Sequence, residues 1–172
     1  MTKGGWVRVS LPDRSALAQR AHECDHVDSV RFDLEQPITL DVALNLLGAP
    51  LSGVMAAAMR VRDAIAGRFG LKTNDAYRTG DPRHPVSCQP GERIGLFTVY
   101  ERTESEAILG EDDRHLDFRV SVLLEETAVT LTTMVFYRSR LGRWYFAVVR
   151  PFHMAIIPRS VAGDLRKQPA AH

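Results

Sequence analysis

No two cysteines of this chain stand close enough in sequence to share a metal. Cys24 and Cys88 are the only two, and neither belongs to a C-x-x-C pair, so a zinc knuckle or ribbon is excluded. They are either two thiols of a reducing compartment or the two ends of one disulfide, and the spacing leaves both open. Long apolar runs are missing too. The longest, residues 141–157, is broken by Arg143, Arg150, Pro151 and His153, which is too short and too charged to span a bilayer. Charge of one sign is not in excess. The 22 Lys and Arg against 21 Asp and Glu leave a formal net charge of +1, and nothing in that balance points to nucleic acid or to an anionic membrane; no membrane insertion is expected either. There is no P-loop, no G-x-S-x-G elbow, no H-E-x-x-H and no G-x-G-x-x-G, so no cofactor and no metal are expected. The first ten residues hold no apolar leader core, and the expectation is a cytoplasmic protein.

What is present is an ordinary globular composition. Hydrophobic residues make up 45% and charged residues 25% of 172, enough for one domain with a real core. Residues 1–28 read as a polar, peripheral segment with a short helix over 15–24. Residues 29–35 alternate strictly, with Val30, Phe32 and Leu34 on one side and Arg31, Asp33 and Glu35 on the other, which is the period of a half-buried strand. Thr39 is a natural cap for a helix through Leu47. A second helix is expected over 52–69, where Val54, Ala58, Val61 and Ile65 recur at helical spacing. Residues 72–91, with Pro82, Pro85 and Pro90, form a long loop.

From residue 93 the chain reads as successive strands over 94–100, 107–109, 115–124 and 129–137, joined by short polar links that favour an antiparallel meander. In 115–124, Leu116, Phe118, Val120 and Val122 line one face, and His115, Asp117, Arg119 and Ser121 line the other. The last helix carries Leu141, Trp144, Tyr145, Val148, Val149, Phe152 and Ile156 at three- and four-residue steps. Pro151 inside it clashes with the carbonyl of Ala147, which predicts a kink. Residues 29–168 are expected to form one α+β domain, and residues 169–172 a frayed tail.

Three stretches carry a resemblance. Gly91-Glu-Arg-Ile-Gly95, Gly110-Glu-Asp-Asp-Arg-His-Leu-Asp-Phe-Arg119 and Leu141-Gly-Arg-Trp-Tyr-Phe-Ala-Val-Val-Arg-Pro-Phe-His153 look like a bacterial family catalogued as domain of unknown function 2867. The likeness covers the chain after residue 25. It implies a START-like, Bet v 1-like helix-grip fold, in which a curved antiparallel sheet grips a long C-terminal helix. It implies no established activity and supplies no catalytic residues.

Four constellations are candidates for chemistry. The cluster from Asp112 to Arg119 holds His115 between carboxylates, which suits a general base or a metal ligand; the plainer reading is a turn and a solvated strand face with cross-strand ion pairs. Arg150 and His153 flank the expected kink and could orient a ligand's polar end; the plainer reading pairs Arg150 with a carboxylate. Phe118, Val120, Met134, Phe136, Trp144, Tyr145, Val148 and Phe152 could line an apolar pocket between sheet and helix, or fill a dry core. Tyr77, Arg78, Arg83, His84 and Cys88 could build a lid over a cavity mouth, or an ordinary surface loop.

Three functions follow. The first is a module binding an apolar small molecule or lipid. The second is a small enzyme of cyclase, dehydratase or hydrolase type, with His115, His153 or Arg150 in the same cavity. The third is a non-catalytic interaction protein that forms a homodimer.

Overall fold

The computed structural model describes residues 5–48, 67, 88–94 and 97–165, without the side chains of Phe152, His153, Ile156 and Asp164. The helix expected over 52–69 and most of the loop over 72–91 lie outside the described residues. Among the described residues, seven strands and three helical elements follow one another. Strand β1 (Trp6–Val9) leads to a 3-10 helix, η1 (Ala16–Arg20), then β2 (His26–Asp33) and helix α1 (Leu40–Gly48). After the interval come β3 (Arg93–Ile94), β4 (Phe97–Arg102), β5 (Glu106–Glu111), β6 (Leu116–Glu125) and β7 (Ala128–Tyr137), and helix α2 (Arg140–Leu165) is the last element described. The fold is α+β.

The strands form one curved antiparallel sheet in the order β1-β2-β7-β6-β5-β4-β3. The long strands are those whose sequence alternates or is β-branched throughout. Short links make neighbours of successive strands, and Glu126 with Thr127 turns β6 into β7. Only β2 is out of sequence order, lying against the last strand, β7. It begins at His26 rather than residue 29 and pairs with β1, so the N-terminal residues set apart as peripheral include the sheet's own edge.

The register sorts side chains onto two faces. Val30 and Phe32 of β2, Val129, Leu131 and Val135 of β7, Phe118, Val120 and Val122 of β6, and Leu109 of β5 share the helix face. Leu40, Ala43, Leu44 and Leu47 of α1, spaced three and four apart, pack onto that face, together with Val161, Ala162 and Leu165 from the end of α2. Thr39 caps α1 as expected, its Oγ1 accepting from the Val42 N–H at 3.3 Å. The opposite face carries Ile108, Met134 and Phe136, and the chain from Leu11 to Cys24 covers them, with Leu17 inserted among them. No disulfide joins Cys24, on this face, to Cys88, which is buried on the helix face.

Helix α2 is continuous across Pro151 and Pro158. Its first half and its last half bury different sides. Tyr145 and Phe146 pack with Leu116 and Val135, whereas Ala162 joins the main core. At about 100° per residue the 16 residues from Phe146 to Ala162 amount to a rotation of about 160°. One stripe therefore cannot describe the helix.

Candidate functional site

The polar face of β6, read as solvated, is buried. Asp117 is 6% exposed, Arg119 9% and Ser121 0%. The segment of residues 11–24 takes the place of solvent, and each buried polar group has a partner. Glu106 of β5 is the hub. Its Oε1 accepts from the Ser15 and Ser121 hydroxyls at 2.6 and 2.5 Å, and its Oε2 from the Ala16 N–H at 2.9 Å. Ser15 is also the N-cap of η1. One carboxylate thus fastens the N-terminal segment to the sheet. Nearby, Ser29 and Thr132 share a hydrogen bond at 2.9 Å.

Two further carboxylates close this layer at its end. Arg119 lies 3.9 Å above the Tyr100 ring and pairs with Asp112 at 2.8 Å, and the Tyr100 hydroxyl donates to Asp112 at 3.0 Å. Burial pushes the Asp112 carboxyl up, but the hydrogen bonds from Arg119 and Tyr100 outweigh it and hold the group below its usual range. Asp117 accepts from Arg138 at 2.6 Å and from the Asp113 N–H at 3.2 Å. Among the described residues no buried side-chain nitrogen or oxygen lacks a partner, and no three metal-binding side chains converge. A fully satisfied network of this kind specifies structure.

His115 belongs to the same architecture. Its Nε2 accepts from Arg114 Nε at 2.8 Å, which places the ring proton on Nδ1, 3.1 Å from the Ser139 hydroxyl. The histidine therefore donates to the serine, the reverse of what a general base would do. Ser139 in turn caps α2 by accepting from the Gly142 N–H at 3.1 Å. The arrangement orients the helix start.

Of the eight residues expected to line an apolar pocket, the seven with described side chains do not converge. Phe118 and Val120 lie on the helix face, but Met134 pairs with Arg119, and Phe136 with Asp117, so both point to the N-terminal face. Trp144 is 74% exposed and Val148 44%, on the outer side of α2. The reason is Gly142. A Cβ there would lie 1.9 Å from the His115 carbonyl oxygen, so the helix rests on that carbonyl. The contact turns Gly142, Tyr145, Phe146 and Val149 inward and Trp144 and Val148 outward. Of the set, Phe118, Val120 and Tyr145 remain between sheet and helix. The side chains of Phe152 and His153 lie outside the described residues.

The middle of α2 meets the sheet through ionisable groups that the sequence reading did not assemble. His26 and Asp28 stand on the helix face of β2, and Arg8 of β1 is opposite Val30 on the same face. Arg8 lies 3.8 Å from Asp28 and donates to the Met154 carbonyl of α2 at 3.1 Å. Arg150, also on α2, is exposed, with its Nε 3.3 Å from the Met154 sulfur; among the described residues no carboxylate pairs with it. The His26 ring packs 5.0 Å from that of Phe146. His26 was hidden because it fell in a segment read as peripheral. The absence of a local motif gave it no signal.

Burial holds the His26 imidazole below its ordinary value, the Arg150 charge pushes the same way, and Asp28 opposes both. The folded state thus favours the neutral ring. As pH falls through about 6.5 the unfolded chain takes up this proton more readily, so stability is lost on acidification. A His26→Gln variant is expected to lose less stability than the wild type between about pH 7 and 5, read by urea denaturation. Parallel slopes would show that His26 does not titrate as described.

The described residues define an α+β domain built on a seven-stranded antiparallel sheet, with residues 11–24 packed on one of its faces. The chain belongs to the family described as protein of unknown function, DUF2867, whose model matches residues 20–160. No curated protein and no solved structure matches it.

Proposed function

We propose that the protein is a START-like binding module that holds an apolar small molecule or lipid between the helix face of the sheet and α2, with the molecule's acidic or polar end read by His26, Arg8 and Arg150. One observation carries this reading. Helix α2 is anchored at both ends in separate apolar clusters, and ionisable groups occupy the interval between them. Arg8 and Arg150 are exposed and His26 and Asp28 partly exposed, so this interval opens to solvent and offers charged groups to a ligand's polar end beside the apolar clusters. Phe118 packs against both clusters and supplies apolar surface across the interval. The START-like part of the reading rests on wiring: a first long strand, a helix, a meander whose last strand returns beside the first, then a long C-terminal helix. A cytoplasmic location goes with it, and no helix among the described residues is long and apolar enough to cross a membrane.

The test is a titration with 1-anilinonaphthalene-8-sulfonate, an apolar ring system with an anionic end. Saturable one-to-one enhancement, displaced by a medium-chain fatty acid and weakened about tenfold or more in Arg150→Gln, is the expected result, in line with the ~1.5–3 kcal/mol of a hydrogen bond to a charged group. Non-saturating binding that is indifferent to Arg150 would contradict the reading.

A further inference from the structure

The outward side of α2 is the most unusual surface among the described residues. Trp144, 74% exposed, and Val148, 44% exposed, stand one turn apart. Ala147, Pro151 and Ala155 are exposed around them, and the partly exposed Leu141 precedes them. From Trp144 to Ala155 the stripe runs about 16 Å. The helix also carries Arg140, Arg143, Arg150 and Arg159, all exposed, and has no acidic residue before Asp164. The whole chain is nearly neutral at +1, so the four positive charges on this helix are a local concentration that the net charge conceals.

We infer that this face of α2 docks on the surface of an anionic bilayer, with the helix lying in the headgroup plane. An interfacial helix needs Trp and aliphatic groups on the side that enters the acyl boundary and arginines that reach back to headgroup phosphates. Both are here. Arg140 and Arg143 lie on one flank of the stripe, Arg143 with its guanidinium 5.4 Å from the Tyr137 ring, and Arg159 lies on the other. A second copy of the chain does not fit the same face. Self-docking would bring four arginines against four, and two large exposed side chains are far short of the ~800 Å² per partner that a stable interface buries. The inference does not depend on the interior of the sheet–helix interval, because Trp144 and Val148 point away from it.

The full chain is floated with phosphatidylcholine vesicles and with vesicles containing one-third phosphatidylglycerol. Binding to the anionic vesicles alone is expected, falling steeply with added salt. Trp144→Ala is expected to weaken it about tenfold or more, from the apolar area one tryptophan buries. Arg140→Gln with Arg143→Gln is expected to weaken it about thirtyfold, at about fivefold per arginine. In a Trp6→Phe background, where Trp144 is the sole tryptophan, its emission shifts to the blue on binding. Absence of binding to anionic vesicles at low salt overturns the inference. So does binding that Trp144→Ala leaves unchanged, a sedimenting dimer that Trp144→Ala dissolves, or quenching of Trp144 by an oligonucleotide in preference to vesicles.

Discussion

Alanine at position 142 is expected to destabilise the protein by about 2 kcal/mol, although alanine is the best helix former and glycine among the worst. The added Cβ would stand 1.9 Å from the His115 carbonyl oxygen and 2.7 Å from its carbon. That oxygen also accepts from the Arg138 and Ser139 N–H groups at 2.9 and 3.1 Å, so neither partner can yield alone. The first half of α2 must lift, and Tyr145 and Phe146 go with it. Overpacking of this kind costs about 1–3 kcal/mol or more, well above the ~1 kcal/mol of helix propensity gained. Gly163, in the same helix, is the control. Among the described residues nothing lies within 4 Å of a Cβ there, so Gly163→Ala keeps the propensity gain and stabilises by up to about 1 kcal/mol. For a chain of this size about 2–4 °C in Tm accompanies each kcal/mol. Calorimetry should move the two variants in opposite directions. A neutral or stabilised Gly142→Ala would show that α2 is not seated on His115.

The second large effect belongs to Glu106. Glu106→Ala strips an acceptor from two serine hydroxyls and from the Ala16 N–H at once. Leaving buried donors unpaired costs about 1–3 kcal/mol each. The hydroxyls recover part of this by pairing with each other, since their oxygens already lie 3.3 Å apart. The expected loss is about 3 kcal/mol, with the segment from Leu11 to Cys24 released to protease before the sheet unfolds. Glu106→Gln should be much milder. Its carbonyl still accepts from Ala16, and its amide donates to hydroxyls that can rotate to accept. Equal losses in the two variants, or cleavage that begins elsewhere, would show that Glu106 is not the fastener.

These two residues also mark the limit of what a linear pattern reveals. The strands of the meander were legible because period two survives in β6, where Leu116, Phe118, Val120 and Val122 alternate with polar groups. The cap at Thr39 was legible for the same local reason. What covers each face was not. Asp117, Arg119 and Ser121 look solvated in sequence, because burial of a polar face depends on a segment about a hundred residues away that folds over it. Met134, Val135 and Phe136 are all apolar and both faces of β7 are buried, so alternation vanishes; the pairing of Met134 with Arg119 and of Phe136 with Asp117 is what turns them away from α2.

Helix α2 posed the sharpest ambiguity. The residues Leu141, Trp144 and Val148 make as good a stripe as Tyr145, Phe146 and Val149. Glycine at 142, and not hydrophobicity, decides which turns inward. The ionisable interval was least legible of all. It joins Arg8, His26 and Asp28 from the N-terminus with Arg150 from the far end, and no motif announces it.

Native mass spectrometry of the protein as purified from its own host addresses the binding reading most directly. A mass excess of a few hundred daltons at a stoichiometry near one, lost on denaturation and reduced in Arg150→Gln, is the predicted result. A bare chain mass that takes up neither fatty acids nor other apolar acids in titration would contradict it.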